Sequence, residues 1–260
     1  MPLEERHFSM IETAAPGVKP DRGAFSALFD RIVALNEIIN VTAVTDPAGV
    51  ALKHFADSLS LVKTGLFDSL PPGSACFDIG CGGGFPGLPL AIAFPRLRLT
   101  MIDATKKKID ALTETCRTVG ANNVVPLCGR AEELAAPASA LRESADIAVS
   151  RALARLNVLC ELCLPFVKPG GYFVAMKGKD APAELDEARR AIRALGGTLE
   201  KVVDVTLTPD AFDHLDLPPE ELAAARDYAS AQRALIVIRK SSPTPPAYPR
   251  PFAKIKKQPL

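Results

Sequence analysis

Phe77–Leu90, FDIGCGGGFPGLPL, sets five glycines and two prolines in fourteen positions, with an acid ahead of the first glycine. Gly82, Gly84 and Gly87 satisfy G-x-G-x-x-G, a spacing that turns a strand into a helix while the backbone comes close to a bound nucleotide-like cofactor. Asp103 follows 21 residues after Gly82, where an acid can hold ribose hydroxyls. Asp78 narrows the ligand. A pyrophosphate on such a turn is held by backbone N–H groups and the helix dipole, and a carboxylate beside it repels it. S-adenosylmethionine instead presents an ammonium and a sulfonium, so Asp78 favours it directly or through a water. The reading is a methyltransferase, with a nicotinamide or flavin enzyme and a ligand-free tight turn as the alternatives.

Two later stretches have the residue types to complete such a site. In CGRAEEL, 128–134, Glu132 sits after a short apolar run where an adenosine contact belongs, and it reads equally as a solvated first helical turn. In DIAVSRALA, 146–154, Ser150 and Arg151 end another apolar run, at the strand end that faces the ligand crevice of an open α/β sheet. Cys160 and Cys163 form C-x-x-C, but within the helical apolar pattern RLNVLCELCLPFV they share a buried face, and no metal is expected.

These residues need positioning elements, and the chain alternates accordingly. Short apolar runs at about 75–79, 98–103, 123–127, 145–149 and 171–176 predict strands, with helical patterns between them, notably 106–119 and 153–167. Two further strands, about 198–206 and 233–239, are separated by a polar, proline-bearing insertion that predicts an antiparallel edge hairpin without a crossover helix. The fold class is α/β, a Rossmann-like, doubly wound, mostly parallel sheet of the class I methyltransferase type. Residues 1–21 read as a loose leader, 22–70 as a helical segment, 71–240 as the methyltransferase domain and 241–260 as a basic tail. Within the helical segment the second helix is expected over 47–63, capped by Asp46 with Pro47 in its first turn.

Charge adds a partner. The net charge is +1, yet Arg239–Leu260 holds six Lys or Arg and no acid, leaving 25 basic and 30 acidic residues upstream. That tail reads as a solvated end or as an arm for phosphates. The first residues, MPLEERHFSM, lack the basic and apolar regions of a signal peptide, and no apolar run reaches the ~18 residues of a membrane span. A soluble, cytoplasmic protein with reduced cysteines is expected, monomeric by preference.

The ordered motifs NEIINVTAV, KHFADSLSL, FDIGCGGGFPGLPLAIAFP, IDATKKK, GRAEEL, VSRALA, MKGK and YPRPFAKIKKQPL resemble the small-subunit ribosomal RNA guanine-N7 methyltransferases, the glucose-inhibited division protein B family. The resemblance runs from Phe25 to Leu260. It implies that Gly80 and Phe85 contact S-adenosylmethionine, Asp103 holds the ribose, and Ala131 and Glu132 take the adenosine side. Arg151 is the remaining cofactor position, and His54, Asp57 and Ser58 border the reacting groups in positioning roles. Cys81, Ala253 and Ile255 depart from the family pattern, the last two where Gly and Pro are expected. The implied reaction is methyl transfer to N7 of a guanosine in 16S ribosomal RNA. For RNA phosphates Arg250, Lys254, Lys256 and Lys257 are the expected contacts, with Lys106, Lys107 and Lys108 as further candidates. Removing 248–260 is expected to weaken RNA binding and spare the cofactor. A methyltransferase of the same fold acting on a protein or small molecule, and a non-enzymatic RNA-binding module, remain open.

Overall fold

The computed structural model describes residues 2–39 and 42–260. The motif NEIINVTAV therefore falls in part, at 40 and 41, outside the described residues. Helix α1 (Glu5–Ala14) and helix α2 (Arg22–Asn36) lead into a helical run built of α3 (Pro47–Val50), a π-helical turn (Ala51–Ala56), α4 (Asp57–Leu59), a 3₁₀ turn (Ser60–Thr64) and α5 (Leu66–Ser69). Asp46 caps the run as expected, accepting the Gly49 N–H at 2.7 Å. A single helix over 47–63 is not what forms, because the wider π turn intervenes at Ala51–Ala56.

Seven strands form one sheet among the described residues: β1 (Ala75–Ile79), β2 (Arg98–Asp103), β3 (Val124–Cys128), β4 (Ala145–Arg151), β5 (Val167–Lys177), β6 (Gly197–Asp204) and β7 (Ala234–Lys240). Their order is β3-β2-β1-β4-β5-β7-β6. The first five run parallel, and β7 is antiparallel to both β5 and β6. Apolar side chains on both faces of β1 and β4 explain their unbroken hydrophobic runs, since helices cover each side. On one side lie α8 (Ala131–Leu134), α9 (Leu156–Cys163), α10 (Ala181–Ala194) and α12 (Phe252–Lys257); α6 (Gly87–Ala93) and α7 (Lys106–Thr118) lie on the other with α2. Cys160 and Cys163 are buried on one face of α9, and all six cysteines are unpaired. Chain order reverses between β1, which leads to β2 on one side, and β4 on the other, so a crevice opens at their carboxyl ends.

Two further elements differ from the sequence expectation. Residues 2–21 are not loose: α1 buries His7, Phe8, Met10 and Ile11. The insertion between β6 and β7 holds helix α11 (Pro219–Ser230), whose Pro219 starts it rather than breaking the chain. Phe212, Ala225 and Tyr228 of that insertion pack with Met10 of α1 and Leu52 of the π turn in one cluster. The helical segment packs onto the rest of the fold: Phe25 and Phe55 share a cluster with Met101 of β2 and Leu112 of α7.

Candidate functional site

The glycine loop follows β1, and two carboxylates, Asp78 and Asp103, bind its backbone N–H groups. Asp78 is fully buried and its Oδ2 accepts the Gly87 N–H at 2.8 Å, tying the strand end to the start of α6. A Cβ on Gly87 would lie 2.4 Å from Met101 Cε and 2.8 Å from that same Oδ2, so a larger residue would displace both side chains. Asp78 thus sits beneath the loop, outside the linings of the two large cavities. Burial pushes its carboxyl up to about 7, and Oδ1 is buried with no hydrogen-bond partner. Asp103 closes the other side: its Oδ2 accepts the Gly82 N–H at 3.0 Å and its Oδ1 the Thr105 N–H at 2.8 Å.

A cavity of about 350 Å³ opens over the ends of β1, β2 and β3. Of the expected cofactor residues, Gly80, Asp103, Ala131 and Glu132 line it, while Gly82 and Gly84 shape the turn. Glu132 is drawn to Arg130, whose Nε donates at 2.5 Å. Arg130 in turn lies 4.7 Å over the ring of Phe252, a lining residue that the sequence reading missed. The donor set fits an adenosyl sulfonium compound: Asp103 suits ribose hydroxyls, and the Asp78 carboxyl, ionised as pH rises through about 7, lies behind the loop where the cations belong.

A second cavity, about 610 Å³, lies over β4 and β5 and includes Lys53, His54, Asp57, Arg151, Lys177 and Arg233. Arg151 Nη1 donates to Asp57 Oδ2 at 2.8 Å and to the Lys53 carbonyl at 2.9 Å, and its guanidinium lies 5.4 Å over the Phe85 ring. His54 stacks on the other approach to Phe85 (4.6 Å between centroids) and shares a 2.7 Å hydrogen bond, through Nε2, with Thr42 Oγ1. Burial, reinforced by the Arg151 charge, lowers His54 to about 4, so the ring is neutral at physiological pH.

Three of the expected residues meet here. Arg151 borders this larger cavity. Phe85 is buried, stacked on His54 and covered by the Arg151 guanidinium. Ser58 is fully buried with its hydroxyl donating to the His54 carbonyl at 2.5 Å, so it braces the helical run.

Leu153 lines both cavities and separates them. Gly80 (φ 76°) makes room for it, since a Cβ there would come within 2.6 Å of Leu153 Cδ2. The neighbouring Ala152 is held in the left-handed region at φ 53°, a conformation costing about 1 kcal/mol for a residue with a Cβ. The surrounding bonds fix it: Ser150 Oγ donates to the Ile79 carbonyl at 2.8 Å, Lys177 Nζ to the Ala154 carbonyl at 2.6 Å, and Leu156 N–H to Glu184 Oε2 at 2.7 Å. Arg233 also escaped the sequence reading. It lies 3.6 Å over the Tyr228 ring with its guanidinium nitrogens buried.

In the C-terminal segment, Lys254, Lys256 and Lys257 are exposed on α12 and free of ion pairs. Arg250 is different. Its N–H and Nε each donate to Glu161 Oε1 at 2.8 Å, and Nη2 to Oε2 at 2.5 Å. Glu161 is fully buried, so the Arg250 charge is consumed inside the fold, which corrects its assignment to RNA phosphates. Lys106 pairs with Asp110 at 2.8 Å, while Lys107 and Lys108 make no ion pair among the described residues and Lys108 borders the smaller cavity. Among the described residues no group of three His, Cys, Asp or Glu could hold a metal, and no helix is long and apolar enough to cross a membrane.

The seven-stranded order, the crevice at the β1–β4 reversal and the acid-backed loop define a class I methyltransferase. A solved geranyl diphosphate methyltransferase in complex with S-adenosylmethionine has the same fold, at 16% identity and a TM-score of 0.50, covering 75% of this chain and 89% of that one. The chain belongs to the GidB family, rRNA small subunit methyltransferase G, whose model matches residues 22–210. The ribosomal RNA small subunit methyltransferase G of Lachnoclostridium phytofermentans is 40% identical over 236 residues, spanning 91% of this chain and 88% of its own length. Its counterpart from Geobacillus thermodenitrificans is 38% identical over 258 residues, spanning 99% and 96%.

Proposed function

We propose that this protein transfers a methyl group from S-adenosylmethionine to N7 of a specific guanosine in small-subunit (16S) ribosomal RNA, in the cytoplasm. The observation that carries the reading is the pair of cavities divided by Leu153: a cofactor-sized one backed by acids and a larger one edged by cations. When bound, the cofactor supplies an electrophilic methyl on a positively charged sulfur. Gly80, Asp103, Ala131 and Glu132 hold it, with Gly82 and Gly84 shaping the loop and the Asp78 carboxyl lying beneath.

Guanine N7 carries an in-plane lone pair at neutral pH, so no base is required of the protein. A neutral His54 suits that requirement, because it adds no cation beside Arg151. Arg151, fixed by Asp57, orients the acceptor; the exposed Lys53 offers a donor to base and phosphate acceptors. Catalysis then rests on alignment and the exclusion of water. Lys254, Lys256, Lys257 and Lys107 meet RNA phosphates outside the cavity.

Mass mapping of small-subunit RNA from a deletion strain tests the reading. One N7-methylguanosine disappears and returns when the protein and S-adenosylmethionine are supplied to that RNA or subunit. An unchanged modification map sinks it and returns the protein or small-molecule methyltransferase to first place.

A further inference from the structure

The C-terminal segment closes on the cofactor-sized cavity. Phe252, the first residue of α12, lines it on the side of Arg130 and Glu132. The segment is not a dangling arm. Ile255 is fully buried in the core, Tyr248 and Phe252 pack against the same cluster, and Arg250 is clasped by Glu161 of α9. Upstream, Arg142 donates to the carbonyls of Thr244 at 2.6 Å and Tyr248 at 2.9 Å. The same short helix presents Lys254, Lys256 and Lys257 to solvent.

We propose that Phe252 is a cofactor-contact residue for the adenosine half and that RNA bound to the α12 lysines tightens cofactor binding through it. The inference rests on the reading of the smaller cavity as the cofactor site. A helix of six residues gains little from its own hydrogen bonds, and its order depends on what it packs against. Phosphates gripping the three lysines hold that helix in place. Cofactor stacked near Phe252 does the same from the inside. Two ligands that order one element lower each other's ordering cost, and the effect is reciprocal. The expectation that removing 248–260 spares the cofactor is thereby replaced: the removal takes away a wall of its cavity.

Calorimetry with S-adenosylhomocysteine, on the full chain with and without unmodified small-subunit RNA, tests this. Wild type binds the probe, and binds it several-fold tighter with RNA present. Phe252→Ala weakens binding about tenfold, as loss of one buried aromatic contact does. Phe252→Tyr restores it, while circular dichroism and thermal melting remain those of wild type. Lys254→Ala, Lys256→Ala and Lys257→Ala combined abolishes the tightening by RNA. Probe binding unchanged in Phe252→Ala, or equal affinities with and without RNA in wild type, overturns the inference. No binding by wild type itself refutes the cofactor reading instead.

Discussion

At neutral pH the His54 ring carries no charge, and that state is maintained by burial against Phe85 and by the Arg151 guanidinium. The folded chain resists protonating the ring until about pH 4, against an ordinary value of 6.5. The unfolded chain takes the proton first, so the stability tied to a neutral His54 is complete above about 6.5 and is lost as pH falls toward 4. The full loss is about 3 kcal/mol. Urea unfolding between pH 8 and pH 4 measures it: wild type steepens its decline below pH 6.5, and His54→Gln lacks that component. An identical pH dependence in both proteins contradicts a buried, neutral ring. Asp78 has the opposite sign. With its carboxyl raised to about 7, its contribution is full below the ordinary carboxylate value and fades as pH rises through 7. The sequence showed that an acid stood at this strand end but not that it lay under the loop, since strand register and the Gly87 approach are set by packing.

At the scale of elements, α9 and the C-terminal segment share one buried ion pair, and neither half was legible from its neighbourhood. Arg250 stands in a basic run that reads as solvated. Glu161 was the better signal: an acid inside RLNVLCELCLPFV must find a partner if the helix is buried. Arg250→Ala leaves that carboxylate alone in the core and is expected to cost about 3 kcal/mol. Chemical denaturation reads the loss, and Glu161→Gln combined with Arg250→Ala should recover part of it. Helix α1 was hidden for a related reason. Its apolar face, Phe8, Met10 and Ile11, is short, and its partner α11 is some two hundred residues away in sequence. Helix α11 itself was masked by prolines that read as a loop and in fact occupy the first turn. The parallel strands, by contrast, were legible to within a residue or two at most ends, because burial on both faces writes them as continuous apolar runs.

For the molecule as a whole, cations line both cavities: Lys108 and Arg130 the smaller one, Lys53, Arg151 and Arg233 the larger. The helix that lends Phe252 to the smaller cavity also carries three exposed lysines. RNA affinity should therefore fall with salt. Replacing Lys254, Lys256 and Lys257 together should flatten the log K against log salt slope by about 2, near 0.7 per phosphate on single-stranded RNA. Filter binding at several salt concentrations measures this, and an unchanged slope places the RNA elsewhere. The sheet, the crevice and the acids were visible in the sequence because they depend on local patterns. What stayed invisible was which residues meet across the crevice, such as Arg151 with Asp57 or Phe252 with Arg130, since these contacts join distant segments.

The position of Phe252 in the chain carries a consequence for biosynthesis. A ribosome extends a protein from its N-terminus, and the strands and glycine loop can pair as they emerge. The cavity beside them lacks one wall until translation has passed residue 252, and the anchoring Ile255 must also have left the exit tunnel. Chains cut short by a late stop codon would contain every motif from the loop to VSRALA and still lack a complete cavity.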